Sequence, residues 1–165
     1  MRYTDQDIDS TVRRDLDPIM KMINFKNKTV LDVGMGYRWH FHYLMDIGID
    51  VWGIDKNQYR YCGGDDLPWV KDRMFHADIK DMPRELVGKF DIALQSKYQV
   101  FEDIPAVTKS IATVLKPGGR YIILSHDECY GMWESDVKES VKDCFNSVLL
   151  FRSQNNMICI AENFR

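Results

Sequence analysis

The sequence predicts an α/β protein: a doubly wound, mostly parallel seven-stranded sheet with helices on both faces and a closing C-terminal antiparallel hairpin. Three observations predict it. Short apolar runs alternate with stretches of helical spacing from residue 28 onward. The first run ends in a glycine-bearing turn, and the next ones end in acidic or polar residues. The last two runs are separated only by "QNN", and a parallel crossover needs about a dozen residues or more. Strand–helix alternation makes the strands parallel and covers both faces of the sheet.

The elements follow in order. Between Asp5 and Phe25 the apolar residues Ile8, Val12, Leu16, Ile19, Met20 and Ile23 recur at helical spacing. Pro18 falls inside, so the segment reads as two short helices or one kinked helix. "KTVLDVG" is a short apolar run ending in glycine, a first strand buried on both faces. "WHFHYLMDIG" is helical and ends with Gly48 just past its last turn. "IDVWGID", a strand within "DRMFHADI", and "FDIALQS" supply the second, third and fourth strands. "DIPAVTKSIATVLKPGG" is a helix with apolar positions Val107, Ile111, Val114 and Leu115, stopped by Pro117-Gly118-Gly119. "RYIILS" is the fifth strand, "SDVKESVKDCF" a helix with Ser135 as its N-cap, and "SVLLFRS" and "MICIAEN" form the hairpin. We expect one domain over residues 1–165, a helical segment at 1–27 leading into a core at 28–165.

Composition narrows the class. Apolar residues make up 45% and charged residues 28%, as in an ordinary water-soluble domain, and no apolar run is long enough to span a bilayer. The polar start "MRYTDQDIDSTVRRDLD" lacks a signal-peptide core, so the expected location is the cytoplasm. Cys62, Cys129, Cys144 and Cys159 form no CxxC pair, and His40 and His42 are two apart on a helix, so no metal site is expected. A net charge of −3 gives no electrostatic case for nucleic acid.

The turn "VLDVGMGYRWHFHYL" carries the chemistry. Ligands of doubly wound sheets bind beyond the carboxyl ends of the strands, where the chain direction across the sheet switches. Gly34 and Gly36, flanking Met35, allow positive φ and close approach of backbone to a ligand. Asp32 at the strand end is placed to accept from loop amides or face a cationic ligand. Asp55 ends the second strand, where an acid can accept from both ribose hydroxyls of an adenosine. Asp78 follows the third strand in "HADIKDMP", placed to accept from an adenine amine. Gln95 and Ser96 end the fourth. Together, these placements at successive strand ends point to a nucleoside-cofactor fold.

At these residues the chain resembles the class I S-adenosylmethionine-dependent methyltransferases. "VLDVGMGYRWHFHYLMDIGIDVWGID" resembles that family's motif I through the acid of motif II, and "HADIKDMP" its motif III. "FDIALQSKYQVFEDIPAVTKSIATVLKPGGRYIILS" resembles the fourth strand, helix and fifth strand of the small-molecule, ubiquinone-biosynthesis-like branch. The likeness covers roughly residues 28 to 163. It implies a Rossmann-like fold and S-adenosylmethionine as cofactor, with S-adenosylhomocysteine as product.

By the resemblance, Gly34, Met35 and Gly36 lie along the methionine part, with Asp32 near its amino group. Asp55 holds the ribose hydroxyls, with Lys56 or Ile54 beside the adenine. Asp78, between Ala77 and Ile79, reads the adenine edge. Gln95 and Ser96 border the sulfonium. The chain departs from the family at Arg38, which stands where a third glycine is usual, and at Asp103, where a histidine is usual. Arg38 can clash with the cofactor, point away, or bind the methionine carboxylate.

Methyl transfer needs alignment and, for an acidic nucleophile, a base. His126 is the candidate base, with Asp127 or Glu128 to orient it. Tyr98 is the candidate pocket residue. Tyr3, Tyr98 and "HDECYGMW" are the material for a substrate wall.

Three function classes follow: a methyltransferase with a small-molecule acceptor, one acting on RNA or protein, and a non-catalytic module that has lost the cofactor. A homodimer is compatible with each. "LQSKYQV" lacks the Asn/Asp-Pro-Pro-Tyr/Phe turn of DNA amino-methyltransferases, and the GxGxxG turn of a nicotinamide dehydrogenase needs glycine at Trp39.

Overall fold

The computed structural model describes residues 5–57, 68–96, 103–126, 134–153 and 156–162. Its seven strands are β1 (Thr29–Val33), β2 (Asp50–Asp55), β3 (Met74–His76), β4 (Phe90–Ser96), β5 (Leu115–His126), β6 (Ser147–Ser153) and β7 (Asn156–Glu162). They form one sheet in the order β3-β2-β1-β4-β5-β7-β6. Strands β1 to β5 pair parallel, and β7 runs antiparallel to both β5 and β6. The strand order reverses between β1 and β4, which makes the carboxyl ends of those strands the expected ligand crevice.

Helices cover both faces. On one lie α1 (Asp5–Met22), α2 (Trp39–Asp46) and α3 (Pro68–Lys71). They bury Val12, Leu16, Ile19, Phe41, Leu44 and Val70 against Val30, Val51, Ile92, Leu94, Ile122 and Ile158. On the other lie α4 (Ile104–Val114) and α5 (Glu134–Lys142). Their Val107, Ile111, Val137 and Val141 pack on Leu31, Val33, Ala93, Tyr121 and Ile123. Each such side chain contributes about 1.5–3 kcal/mol when withdrawn from water. Burial on both faces is why these strands read as continuous apolar runs rather than alternating ones.

Of the two readings of the first segment the structure shows a single helix, and two boundaries elsewhere differ from the sequence reading. α1 runs without interruption through Pro18, neither of whose neighbours on the buried face, Leu16 and Ile19, has any exposure. Burial of that face holds the turn despite the hydrogen bond that proline removes. α4 ends at Val114, with Leu115 extended at φ −78°, ψ 140° and paired with Phe90. Pro117 disfavours helix at the residue before it, so the chain leaves the helix early. The pairing then jumps from Phe90–Leu115 to Ile92–Arg120, so Lys116 to Gly119 loop out within β5. Finally, α5 starts at Glu134, one residue before the expected cap at Ser135.

One turn prediction holds. Gly48 adopts φ +82° just beyond α2. Asp103, where the family usually has histidine, caps α4 by accepting from the Ala106 N–H at 3.2 Å. Among the described residues no helix is long and apolar enough to cross a membrane.

Gly119 closes the β5 excursion where backbone crowds it. A methyl group there would stand 2.8 Å from the Lys116 carbonyl oxygen and 3.2 Å from that of Phe90. Backbone cannot yield as a side-chain tip can. Gly119→Ala is expected to cost about 1–3 kcal/mol of stability, read by urea denaturation. A wild-type midpoint in the variant would contradict this packing.

Candidate functional site at the carboxyl ends of the strands

The glycine turn between β1 and α2 is bonded to the end of β2. The Gly34 and Met35 amides donate to the Ile54 carbonyl at 2.8 and 3.4 Å. The Gly36 amide donates to Asp55 Oδ2 at 2.9 Å, and the Asn57 amide to Asp55 Oδ1 at 2.7 Å. Gly34 and Gly36 take φ of +68° and +50°, which glycine adopts without strain. From the other side, the Ala77 amide donates to the Asp55 carbonyl at 3.2 Å, drawing in the turn after β3.

Asp55 is therefore a buried anchor for the loop amides, a role the sequence reading allowed to Asp32. A carboxylate offers about four lone-pair sites, so Asp55 keeps acceptor capacity for a ligand's hydroxyls. Met35 turns onto the sheet instead of outward. A methyl group at Gly53, opposite Asp32 on β2, would lie 2.3 Å from Met35 Sδ. Gly53 thus leaves the space that the Met35 side chain fills.

Asp32 is almost fully buried, and neither carboxylate oxygen has a hydrogen-bond partner. Burial pushes its pKa up to about 6; nearby Asp55 adds to the rise, while His40 opposes it. The Phe41 amide also lowers it, without completing a hydrogen bond to either oxygen. An acidic group held this way calls for a cation or an N–H donor.

The rest of the expected set spreads along the same edge. Lys56 is exposed. Asp78 caps the short turn Ile79–Asp81, its Oδ1 accepting from the Lys80 amide at 2.9 Å. Ala77 is half-buried beside it, and Ile79 is buried in the core. Gln95 is fully buried and accepts from the Tyr121 hydroxyl through Oε1, while its Nε2 has no partner. Ser96 is half-buried at the end of β4. His126 is the last residue of β5, its backbone opposite Asn156. Tyr98, Tyr3, Asp127, Glu128, the segment after His126, Cys62 and Cys129 lie outside the described residues. Cys159 is buried, which pushes its thiol up to about 12, and Cys144 is half-buried.

Arg38 is the N-terminal flanking residue of α2 and sits at φ 64°, ψ 24°. Its backbone has the left-handed conformation that explains why glycine is usual there. The side chain does not point into solvent: only 9% of the residue is exposed. Desolvation lowers its pKa, and Asp55 works in the opposite direction.

One polar cluster escaped the sequence reading. Asp15 of α1 is buried, with Oδ2 3.2 Å from His40 Nε2 of α2. Its Oδ1 accepts from Asn156 Nδ2 of β7 at 3.1 Å and lies 3.4 Å from Arg14 Nε. The available signal was an aspartate three residues after Val12 and four before Ile19, inside the apolar stripe of α1.

These features fit an amino-acid-bearing nucleoside: an orphaned buried carboxylate, two glycines in positive φ, and acids at the next two strand ends. Residues 31–123 match the methyltransferase domain family. Among curated proteins, none matches this sequence. The fold is similar to that of the PH0226 protein from Pyrococcus horikoshii OT3, with a TM-score of 0.76 at 19% identity over 98% of this chain and 94% of that one. It is also similar to the Burkholderia thailandensis 1,6-didemethyltoxoflavin-N1-methyltransferase with bound 1,6-didemethyltoxoflavin and S-adenosylhomocysteine. There the TM-score is 0.73 at 16% identity, over 98% and 82% of the two chains. A third is the putative methyltransferase of Haloferax volcanii in complex with the Trm112 methyltransferase activator, with a TM-score of 0.71 at 12% identity over 96% and 92%.

The raised Asp32 pKa has a consequence for the ligand-free protein. The folded state holds this proton more tightly than the unfolded chain, whose pKa is near the ordinary aspartate value of 3.8. The contribution of Asp32 to stability is therefore most favourable below about pH 4 and declines as pH rises through about 6. Two pK units correspond to about 3 kcal/mol. Asp32→Asn is expected to remove that decline, measured as unfolding free energy between pH 4 and 7. Parallel pH profiles for the two proteins would show that Asp32 is not the group responsible.

Proposed function

The chain belongs to the methyltransferase domain family, and on that premise we propose that it transfers a methyl group from S-adenosylmethionine to a small-molecule acceptor. The observation that carries this reading is the buried Asp32 carboxylate with two unpartnered oxygens beside the glycine turn. A cofactor with an α-ammonium supplies what that carboxylate lacks. The small-molecule acceptor is supported by the similar fold of the Burkholderia enzyme, described with bound 1,6-didemethyltoxoflavin.

When bound, S-adenosylmethionine would supply a methyl group activated by its sulfonium for in-line displacement by the acceptor's nucleophile. The protein's part is to hold and align. Asp32 takes the ammonium, and Gly34 and Gly36 let backbone approach with no Cβ in the way. Met35 keeps the turn on the sheet by packing over Gly53. Asp55, held by the Gly36 and Asn57 amides, directs its remaining acceptor capacity at the ribose hydroxyls. Asp78, Ala77 and Ile79 border the adenine, with Lys56 at its outer side.

Gln95 and Ser96 end β4 at the reacting end, where in-line approach is decided by orientation. His126, at the end of β5, takes the acceptor's proton where the acceptor is acidic, and Tyr98 lines the acceptor space. No metal enters this reading. We place the protein in the cytoplasm, as a single domain able to self-associate.

Calorimetry with S-adenosylmethionine and S-adenosylhomocysteine tests the cofactor. Binding is expected, and Asp55→Ala is expected to weaken it by about 1.5–3 kcal/mol, the scale of hydrogen bonds to a charged group. Unchanged affinity in the variant would move the ribose away from β2, and no binding at millimolar ligand would reduce the fold to a non-catalytic module.

A labelled methyl donor offered with metabolite, RNA and protein fractions tests the acceptor. Label is expected in small molecules; label only in RNA or protein would replace this acceptor class by a macromolecular one.

A further inference from the structure

We propose that the outer edge of β6 pairs antiparallel with the β6 of a second copy of this chain, making a two-fold dimer with one continuous sheet. The inference gives a surface to the self-association proposed above and does not depend on the cofactor reading.

The two edges of the sheet are unlike. β3 ends one side with three residues, Met74–His76, and a strand that short offers little to pair with. β6 ends the other side with seven, Ser147–Ser153, matched residue for residue to β7 in continuous register. A strand bonded on one side turns a row of N–H and C=O groups to the other. Among the described residues no strand meets that row. Edge strands are ordinarily guarded by proline, by a bulge or by charge. β6 has no proline, no glycine and no shift of register, and Arg152 is its one charged residue.

The side chains of this edge are short of cover. Val148, Leu149, Leu150 and Phe151 follow one another, and none of them is fully buried. On β7, one strand inward, six of the seven residues are buried. Leu149 and Phe151 stand opposite Ile160 and Ile158, on the face covered by α1 and α2. Val148 and Leu150 stand opposite Ala161 and Cys159, on the face covered by α4 and α5. Val148, Leu150 and Phe151 pack partly on those cores, while Leu149 is 48% exposed. A further strand would withdraw all four from water.

The edge fits itself. With a two-fold axis through Leu150 and perpendicular to the sheet, Ser147 faces Ser153 of the second copy, Val148 faces Arg152, Leu149 faces Phe151, and Leu150 faces its own counterpart. Directly opposite residues of antiparallel strands share a face, so exposed Leu149 meets an aromatic ring on the α1 side and Leu150 meets leucine on the α5 side. A slip of one residue breaks this match. No pair opposes like charges, and Arg152 lays its aliphatic stem beside Val148. Next to β6, the exposed residues of α5 and the turn after it carry both signs, Lys138 and Lys142 with Glu139 and Asp143, so no single-sign field repels a second copy.

The contact also closes. It uses both β6 edges at once and leaves only the three-residue β3 edges outside, so assembly stops at the dimer. The candidate site stays open, because β5 and β7 stand between β4 and the axis.

Light scattering on the eluting full chain reads the mass. The wild-type protein is expected to run as a dimer at micromolar concentration. Leu149→Lys puts a guarding charge on an exposed position and is expected to keep its circular dichroism spectrum and run as a monomer. Leu149→Val is expected to remain a dimer. A photo-crosslinking residue, p-benzoylphenylalanine, introduced at Ser147 is expected to give a covalent dimer whose adduct lies next to Ser153 of the second copy. This readout decides the matter should Leu149→Lys fail to fold.

A wild-type monomer overturns this surface and self-association together. A dimer that survives Leu149→Lys, an adduct away from Ser153, or a dimer that gives no adduct keeps self-association and overturns the β6 edge. None of these readouts uses the cofactor, so a failure of the methyltransferase reading is seen separately, by calorimetry.

Discussion

The site depends on the attachment of the glycine turn to the end of β2. Ile54 accepts two loop amides through its carbonyl, and Asp55 accepts the third through its side chain. Those bonds decide where α2 begins, and so where Arg38, His40 and Phe41 stand. They also enclose Asp32, which pairs with Gly53 one strand away and sits under the turn without a donor of its own. Because Asp55 also receives the Ala77 amide on its carbonyl, the turns after β1 and β3 are referred to the same two residues. A change at Asp55 is therefore felt by loop geometry as well as by any ligand.

The face that carries α1 and α2 also holds buried polar groups. Asp15, His40 and Asn156 link α1, α2 and β7 through hydrogen bonds of 3.2 and 3.1 Å. Buried polar groups of this kind contribute little net stability compared with apolar packing, but leaving one unmatched is costly. Their effect is orientational: α1 can meet α2 and the hairpin in few registers that satisfy Asp15. The opposite face has a smaller counterpart, where Tyr121 of β5 donates to Gln95 of β4. That bond turns the Gln95 oxygen into the core and leaves Nε2 without a partner near the strand end.

Much of the frame was legible because it is local. The strand runs, the turn at Gly48, the hairpin across "QNN" and the acids at strand ends follow from periodicity, glycine's positive φ and loop length. The end of α4 was misplaced because Leu115 continues the apolar spacing of the helix while serving β5, where it pairs with Phe90. Periodicity alone cannot tell an apolar residue that closes a helix from one that opens a strand. Asp15 was missed because its partners His40 and Asn156 are 25 and 141 positions away. Nothing in the neighbouring residues announces such partners.

Arg38 shows where the division lies. The sequence by itself determined that an arginine stands where the turn pattern calls for glycine, next to acids at the ends of β1 and β2. It left open whether that side chain clashes, turns away or serves the ligand. Tertiary structure narrowed the choice, because bonds to Met35 and His42 accompany its left-handed backbone, and only in the folded chain is its side chain buried. Residue type and spacing are local properties of the chain. The direction of a side chain, and the charge state of a carboxylate such as Asp32, are set by which distant segments exclude water from it.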